Sequence, residues 1–405
     1  MSGHIRRRGG SWEIKFALGR DPATGKRKTA YRSFKGTKKE VQVELTRLLA
    51  ERDRGTSVDP TRMTVADFLD RWLRDWVATN VSLRSAERYG SIVALQIIPH
   101  LGQLPIQSLR PAHLADLYTK LAATLATRTV SHVHKLLRSA LKRAAQWGIV
   151  QTNVASLVSP PRVQASEIAI LRETEITTLL NKLREAESPS YMVAVLGLGT
   201  GLRRGEMLAL RWQDVDFVGG RLRVERSLEQ TKAGGLRFKV PKTRAGKRFL
   251  ALPSSIAAEL RAHRTAQQEQ RLARGLGRVP DDALVISQWD GQPRPPSSVS
   301  REWAETMARL GFKITLHALR HTHASQLIAA GMDVLTISRR LGHASPVITL
   351  GVYGHLFANT DDKAAEIIEA AFTRMRTEQG QNPDPSGGNR VAISSRAAEP
   401  DKSSR

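Results

Sequence analysis

Between Thr127 and Trp147 the chain carries no acidic residue, and this stretch constrains the fold more than any other. Val130, Val133, Leu137 and Leu141 recur at helical spacing, while Arg128, Lys135, Arg138 and Lys142 follow one another at intervals of seven, three and four. In an α-helix the two sets occupy opposite faces. Such a helix packs its apolar face on a bundle and turns its cationic face outward. A merely solvated face usually mixes signs, so a single sign points to phosphates. The whole chain shares the bias, with 63 Lys and Arg against 38 Asp and Glu, a formal charge of +25. An excess of that size repels itself in any compact state and calls for a polyanionic partner. Its source is not the C-terminal end, because residues 376–405 hold five basic and four acidic residues.

Other classes drop out on composition. At 405 residues the chain is long enough for two to three domains of about 150 residues each. With no cysteine, it has no disulfide framework, no cysteine zinc finger and no thiol nucleophile. The longest apolar stretch, YMVAVLGLGTGL, runs for 12 residues and is too short to span a bilayer. MSGHIRRRGG has charge but no apolar core, unlike a signal peptide. A soluble, intracellular, polyanion-binding protein is expected, without a membrane partner.

The first segment predicts strands followed by a helix. Trp12, Ile14, Phe16 and Leu18 alternate with Glu13, Lys15 and Ala17, the period of a half-buried strand. GRDPATGK supplies a turn and KTAYRSF a second strand. Thr37 and Glu40 form a capping box, and the helix they open sets Val41, Leu45, Leu48 and Leu49 on one face before fading at Gly55. Residues 1–40 hold 12 Lys and Arg against three Asp and Glu, so this small sheet is either a groove binder or a solvated basic edge. Residues 63–158 read as wholly helical, opened by Thr64 and Asp67 and broken at IIPHLGQLPI. SPPRVQ at 159–164 is a linker. From 165 to 375 helices surround a strand-rich insert at 221–226, 237–241 and 247–252. A last helix, opening at Asn359 or Thr360, carries the stripe Ala364, Ile367, Ile368, Ala371, Phe372 and Met375. The composition of 376–405 is that of a disordered tail.

Several chemistry-bearing residues fall in the third segment. TGLRRGEMLAL places Arg203 after a glycine turn at a helix start, with Glu206 one turn on. VPKTRAGKR sets Lys242 on a hairpin. HALRHTHASQLIAAG holds His317 and Arg320 on one helix face. LGHASP puts His343 beyond a helix-closing glycine, with Ser345 capping the next helix and Pro346 at its first position; Tyr353 follows. No carboxylate cluster accompanies this set, which argues against a two-metal phosphoryl-transfer site. His317 and His321 have metal-pair spacing, but the zinc-protease glutamate and any cysteine are missing.

The set suits metal-free phosphoryl transfer. Two guanidiniums grip the non-bridging oxygens of a phosphodiester and stabilise the charge of an in-line transition state. A tyrosine hydroxyl, with a pKa of about 10, needs a neighbouring base, and a histidine fits that role. A lysine suits protonation of the departing oxygen. Taken singly, each motif also fits an ordinary surface arginine, helix or core tyrosine.

Their order changes the weighing. TGLRRGE…LALRWQDVDF, PKT, HALRHTHAS and LGHASPVITLGVYGHLF, ending in a tyrosine ten residues after the LGH histidine, together resemble the tyrosine recombinases, or phage integrase family. The resemblance implies a multidomain fold, mainly α with small β-sheets. Residues 1–57 would form an arm-type DNA-binding domain of three strands and a helix, and 63–158 a helical core-binding domain. Residues 165–375 would form the mixed α/β catalytic domain. It also implies that Arg203 and Arg320 hold the scissile phosphate, with Glu206 supporting the first. His317 would manage the proton at the nucleophile, His343 would buttress the phosphate, and Lys242 would be the hairpin lysine, with Lys232, Lys239 and Lys247 close by. Tyr353 would form a 3′-phosphotyrosyl bond and free a 5′-hydroxyl.

The implied reaction uses neither metal, ATP nor another cofactor. Its substrate is double-stranded DNA at attachment sites. A homotetramer, formed by docking the helix around 360–375 on a neighbouring protomer or leaving it packed on its own domain, would integrate a phage or mobile element, with excision open to the same chemistry. Excisionase and DNA-bending proteins are further candidate partners, and the bacterial cytoplasm, at the nucleoid, is the implied location. A type IB topoisomerase shares the chemistry but not the arm-like segment or the docking helix, and a silent DNA binder would not need every catalytic residue type. An aromatic content of 5% is lean for an RNA-stacking platform. DNA affinity should therefore fall steeply and linearly on a log–log plot against salt. A titration from low to high salt that left affinity unchanged would remove the polyanion reading.

Overall fold

The computed structural model describes residues 3–20, 25–53, 61–164, 169–241, 244–357 and 360–379. The middle of the expected GRDPATGK turn, Gly55, Asn359 and the tail from 380 lie outside these residues. The described chain is mostly helical with small antiparallel sheets, and its contacts divide it into two units. The first comprises 1–169 with 226–239 and 284–306; the second comprises 170–225, 240–283 and 307–405.

In the first unit, strands His4–Arg8, Ser11–Arg20 and Arg27–Phe34 form an antiparallel sheet in sequence order. Pairing Ile14 with Arg32 and Phe16 with Ala30 sets the register. The expected alternation then buries Ile14 and Phe16 against Val41, Leu45 and Leu48 of helix Lys38–Asp53. Both halves of the Thr37–Glu40 capping box are present. Residues 64–158 are helices and short helical turns, opened by the Thr64–Asp67 capping box. Two of these helices contain a π-helical turn, Leu73–Val77 and Val93–Ile97, that periodicity did not foretell. Around the first, Trp72 stacks on Trp76 and on Tyr89 at 5.8 Å each.

The cationic helix spans Thr127–Gln146. Val130, Val133, Leu137 and Leu141 enter the core of this bundle, whereas Arg128, Lys135, Arg138 and Lys142 are all exposed. Arg143 is used internally, lying over the Trp76 ring at 4.9 Å. The insert differs from the sequence expectation in one respect. Its strands Arg221–Val224, Gly235–Lys239 and Arg248–Ala251 are joined by two the sequence did not suggest, Val215–Asp216 and Ser227–Thr231, and the five pair into two antiparallel sheets. SLEQT has a single large apolar residue and no alternation to detect; it becomes a strand by pairing with GLRFK, Leu228 opposite Phe238.

In the second unit, helix Tyr191–Thr200 is buried nearly all round, which explains its continuous apolar sequence. It packs closely on helix Leu316–Ala329: a Cβ added at Gly197 would meet Leu319 Cβ at 2.9 Å. Among the described residues, no helix is long and apolar enough to cross a membrane. The final helix, Thr360–Gln379, leaves Ile367, Ile368, Phe372 and Met375 more than half exposed, so its apolar stripe is not buried on its own unit.

The two faces of the cationic helix should respond differently to truncation. Leu137→Ala is expected to cost about 3 kcal/mol of stability through the lost contacts and the cavity left behind. Arg138→Ala should stay within about 0.5 kcal/mol. Calorimetry of the full chain reads both, and equal effects would contradict the assignment of faces.

Candidate active site

Six of the sequence-derived site residues lie in the second unit: Arg203, Glu206, His317, Arg320, His343 and Tyr353. Lys242 lies outside the described residues. Of the nearby lysines, Lys239 pairs with Glu229 in the first unit, where Lys232 also lies.

Local sequence sets each position. Helix Tyr191–Thr200 ends at Gly201, which adopts a left-handed φ of 66°. A Cβ there would also stand 2.6 Å from His323 Cδ2, so the turn suits glycine on two counts. Arg203 follows as the N-cap of the short helix Arg204–Met207, and Glu206 Oε2 accepts from its backbone N–H at 3.1 Å. Helix Leu316–Ala329 is capped by Thr315 and carries His317, Arg320, His321 and His323. Asp333 caps helix Val334–Leu341, which closes on Gly342, again left-handed at 65°. Ser345 and Pro346 then open helix Pro346–Tyr353, as their types suggest.

These elements converge on one helix end. Arg203 Nη2 donates to Gly342 O at 2.9 Å, and Arg320 Nη2 donates to Leu341 O at 2.7 Å. Arg320 Nη1 donates to Gly201 O, also at 2.7 Å. Two guanidiniums thus meet at adjacent carbonyls of a helix C-terminus, where the partial negative charge favours cations. Glu206 adds a full negative charge. Its Oε1 lies 2.8 Å from Arg203 Nη1 and its Oε2 3.0 Å from Arg248 Nη2. Burial alone would raise Glu206, but Arg248 and Arg203 outweigh it and hold the carboxyl below its usual range. Burial, then Arg203, lowers the Arg320 guanidinium, which still remains cationic at neutral pH.

The histidines are neutral by the same physics. Burial first, then Arg320 and Arg203, pushes His343 down to about 4, and burial, then the neighbouring His317 and Arg320, brings His321 to about 4 as well. His323, also brought down to about 4, is a strut: Nδ1 meets Leu198 O at 2.7 Å and Nε2 accepts from Arg340 Nε at 2.9 Å. His343 Nδ1 is 2.8 Å from the hydroxyl of buried Thr349. Surrounding protein lowers His317 too, with Arg320 and Arg203 adding to the effect. The charge of the site is therefore that of its arginines less Glu206, a net cationic pocket.

Tyr353 is 1% exposed and packs with Ala324, Ile328, Ile337 and Leu341. Burial pushes its hydroxyl up to about 12, against a smaller lowering by Arg320. The histidine at that hydroxyl is His321, with Nδ1 2.7 Å from Tyr353 Oη. His317 packs edge-on against His321, ring centroids 4.5 Å apart. The i, i+4 spacing that allowed a metal reading sets the two imidazoles edge to face, with His321 edge-on to the tyrosine ring in turn. Among the described residues, no group of three or more possible His, Cys, Asp or Glu ligands gathers anywhere.

Sequence reasoning missed His321, Arg248, His323, Arg340 and Thr349 as parts of this site. His321 had a signal, since it lies one residue after Arg320 and one turn after His317. Arg248, whose Nε donates to Arg340 O at 2.7 Å, had none.

The profile described as "Phage integrase family" matches residues 169–360, and that described as "Phage integrase, N-terminal SAM-like domain" matches 64–122. A protein named tyrosine recombinase XerC-like from Caldanaerobacter subterraneus subsp. tengcongensis is 27% identical over 383 residues, 89% of this chain and 96% of its own length. Among solved structures, the Tn1549 transposon integrase in complex with a circular intermediate DNA aligns with a TM-score of 0.63 at 21% identity, covering 76% of this chain and 99% of that one. The lambda integrase tetramer bound to a Holliday junction aligns with a TM-score of 0.54 at 18% identity, over 84% and 96% of the two chains. These structures share the fold of this chain.

Glu206→Gln should cost about 3 kcal/mol at pH 7, because it leaves buried Arg248 without a charge partner. The folded-state value of Glu206 is depressed, so its contribution is complete above the ordinary glutamate range and is lost as pH falls through the folded value. Denaturant unfolding of both proteins at pH 7, 4 and 3 should show the gap closing. A gap independent of pH would show that the charge of Glu206 does not hold the site together.

Proposed function

Because the chain belongs to the phage integrase family, we propose that it is a site-specific DNA recombinase that cuts and rejoins duplex DNA through Tyr353. The observation that carries this reading is the meeting of Arg203 and Arg320 at the Leu341 and Gly342 carbonyls, with His343 next in the chain and Tyr353 in the field of Arg320.

A phosphodiester entering this pocket meets two fixed cations that stabilise its non-bridging oxygens as the phosphorane forms. Thr349 holds His343 by Nδ1, leaving Nε2 as the ring atom for the phosphate. Tyr353 Oη attacks phosphorus, the bond to the 5′-oxygen breaks, and that oxygen takes a proton from Lys242. His317, in the field of Arg320 and Arg203, belongs to the proton management of the same site. The phosphotyrosyl bond conserves the energy of the bond it replaced, so attack by a 5′-hydroxyl reseals the strand without ATP or another cofactor.

The other segments take roles around this chemistry. Residues 165–375 form the catalytic domain, 63–158 the core-binding domain and 1–57 the arm-type domain, with 376–405 as a tail. The exposed Arg128, Lys135, Arg138 and Lys142 contact DNA phosphates. The exposed stripe of Ile367, Ile368, Phe372 and Met375 supports docking on a neighbouring protomer, in a tetramer like that of lambda integrase on its junction. Integration of a mobile element, with excision under accessory proteins, is the biological reaction, on nucleoid DNA in the cytoplasm.

A covalent-adduct experiment tests this reading and finds the DNA site at the same time. Wild type and Tyr353→Phe are expressed in a host carrying the native flanking DNA, denatured in SDS and treated with nuclease. Tryptic peptides are then searched by mass spectrometry for a nucleotide-bearing tyrosine. An adduct on Tyr353 that disappears in the variant is expected, and sequencing the attached DNA identifies the site. An adduct that persists on another residue in Tyr353→Phe would overturn the assignment.

A further inference from the structure

We propose that His321, the residue after the second arginine, is the catalytic base that takes the Tyr353 proton during strand cleavage; this rests on Tyr353 being the nucleophile. The geometry is direct, with His321 Nδ1 2.7 Å from Tyr353 Oη. The ring centroids lie 5.5 Å apart at 64°. Both partners are held. The tyrosine ring is fully buried among Ala324, Ile328, Ile337 and Leu341, and the His321 ring is braced edge-on by His317. A phenol is the better donor and a neutral imidazole nitrogen the better acceptor, so the hydroxyl donates and His321 carries its own proton on Nε2.

The surrounding charges decide when transfer happens. Burial, His317 and Arg320 keep His321 neutral, able to accept, in the DNA-free protein. Burial likewise keeps Tyr353 protonated and unreactive. In the resting state the two groups are therefore badly matched, and the proton stays on oxygen. A scissile phosphate gripped by Arg203 and Arg320 brings negative charge into the same pocket, which offsets the cationic field on His321. As Oη begins to bond phosphorus its basicity falls, and the match improves from both sides.

The step balances. The Oη–H bond breaks and its proton passes to His321 Nδ1, while an Oη lone pair forms the bond to phosphorus. The bond from phosphorus to the 5′-oxygen breaks, and that oxygen is protonated by the general acid. On resealing, His321 returns the proton to departing Oη. His317, one turn away on the same face, braces His321 and does not touch the tyrosine hydroxyl in this geometry.

His321→Asn separates a base from a mere positioning group, because the amide keeps a polar atom near the Nδ1 position but cannot accept a proton at neutral pH. His321→Ala removes both functions. The substrates are duplexes bearing the sequence recovered with Tyr353 adducts, carrying either oxygen or sulfur at the 5′-bridging position of the scissile link. Sulfur leaves without a proton, so it repairs a lost general acid but not a lost base. Single-turnover formation of the covalent intermediate should slow by about 10²–10⁴-fold in His321→Asn on both substrates. Added imidazole should restore part of the rate in His321→Ala, which a folding defect would not allow.

Wild-type cleavage speed in His321→Asn, full repair by sulfur, or no rescue of His321→Ala by imidazole would each overturn the proposal. Failure of the wild type to link through Tyr353 is a different result: it removes the nucleophile on which the proposal rests.

Discussion

The site depends on holding two like charges together. Arg203 and Arg320 would repel each other in an apolar interior, yet they converge on Leu341 and Gly342, adjacent carbonyls at the end of one helix. Three things offset the repulsion: the negative end of that helix, the Gly201 carbonyl, and the Glu206 carboxylate shared between Arg203 and Arg248. Once this pair is in place, much else follows. Burial first, and the cationic field after it, holds the surrounding imidazoles neutral, and neutral imidazoles are what a site needs if they are to accept protons.

Glycine has a specific part in this. Gly201 and Gly342 both end helices in the left-handed conformation, and both supply a carbonyl to an arginine. A Cβ at Gly342 would meet Arg248 Nη1 at 2.7 Å, and one at Gly201 would meet His323. The same two turns therefore stop helices, aim carbonyls and leave room for the side chains that brace the cradle.

The fold and the site were legible to different depths. Strands and helices with strong periodicity, such as Trp12–Phe16 and Thr127–Gln146, were readable because one face of each meets a core. The strand Ser227–Thr231 was not, since its conformation comes from its partner. In the site, Arg203, Glu206, His317, Arg320, His343 and Tyr353 were singled out by motif order, and the structure places all six in one unit. What motif order did not convey was who touches whom. His317 and His321 lie on one helix face, and spacing alone does not say which reaches the tyrosine. The position of Tyr353 on another helix decides for His321.

The cationic helix and the final helix show the same division at the surface. Composition along Thr127–Gln146 determined that its outward face is positive, and the stripe on Thr360–Gln379 determined that the last helix has an apolar side. Only the tertiary structure showed that the first helix buries its apolar face while the second leaves its own in solvent. By itself, then, the sequence determined charge, periodicity, caps and the order of the reactive residues, because these are local properties of neighbouring side chains. The packing of separate helices decided the arginine cradle, the neutral histidines and the contact at Tyr353, because they arise from groups far apart in the chain that meet only when cores are buried.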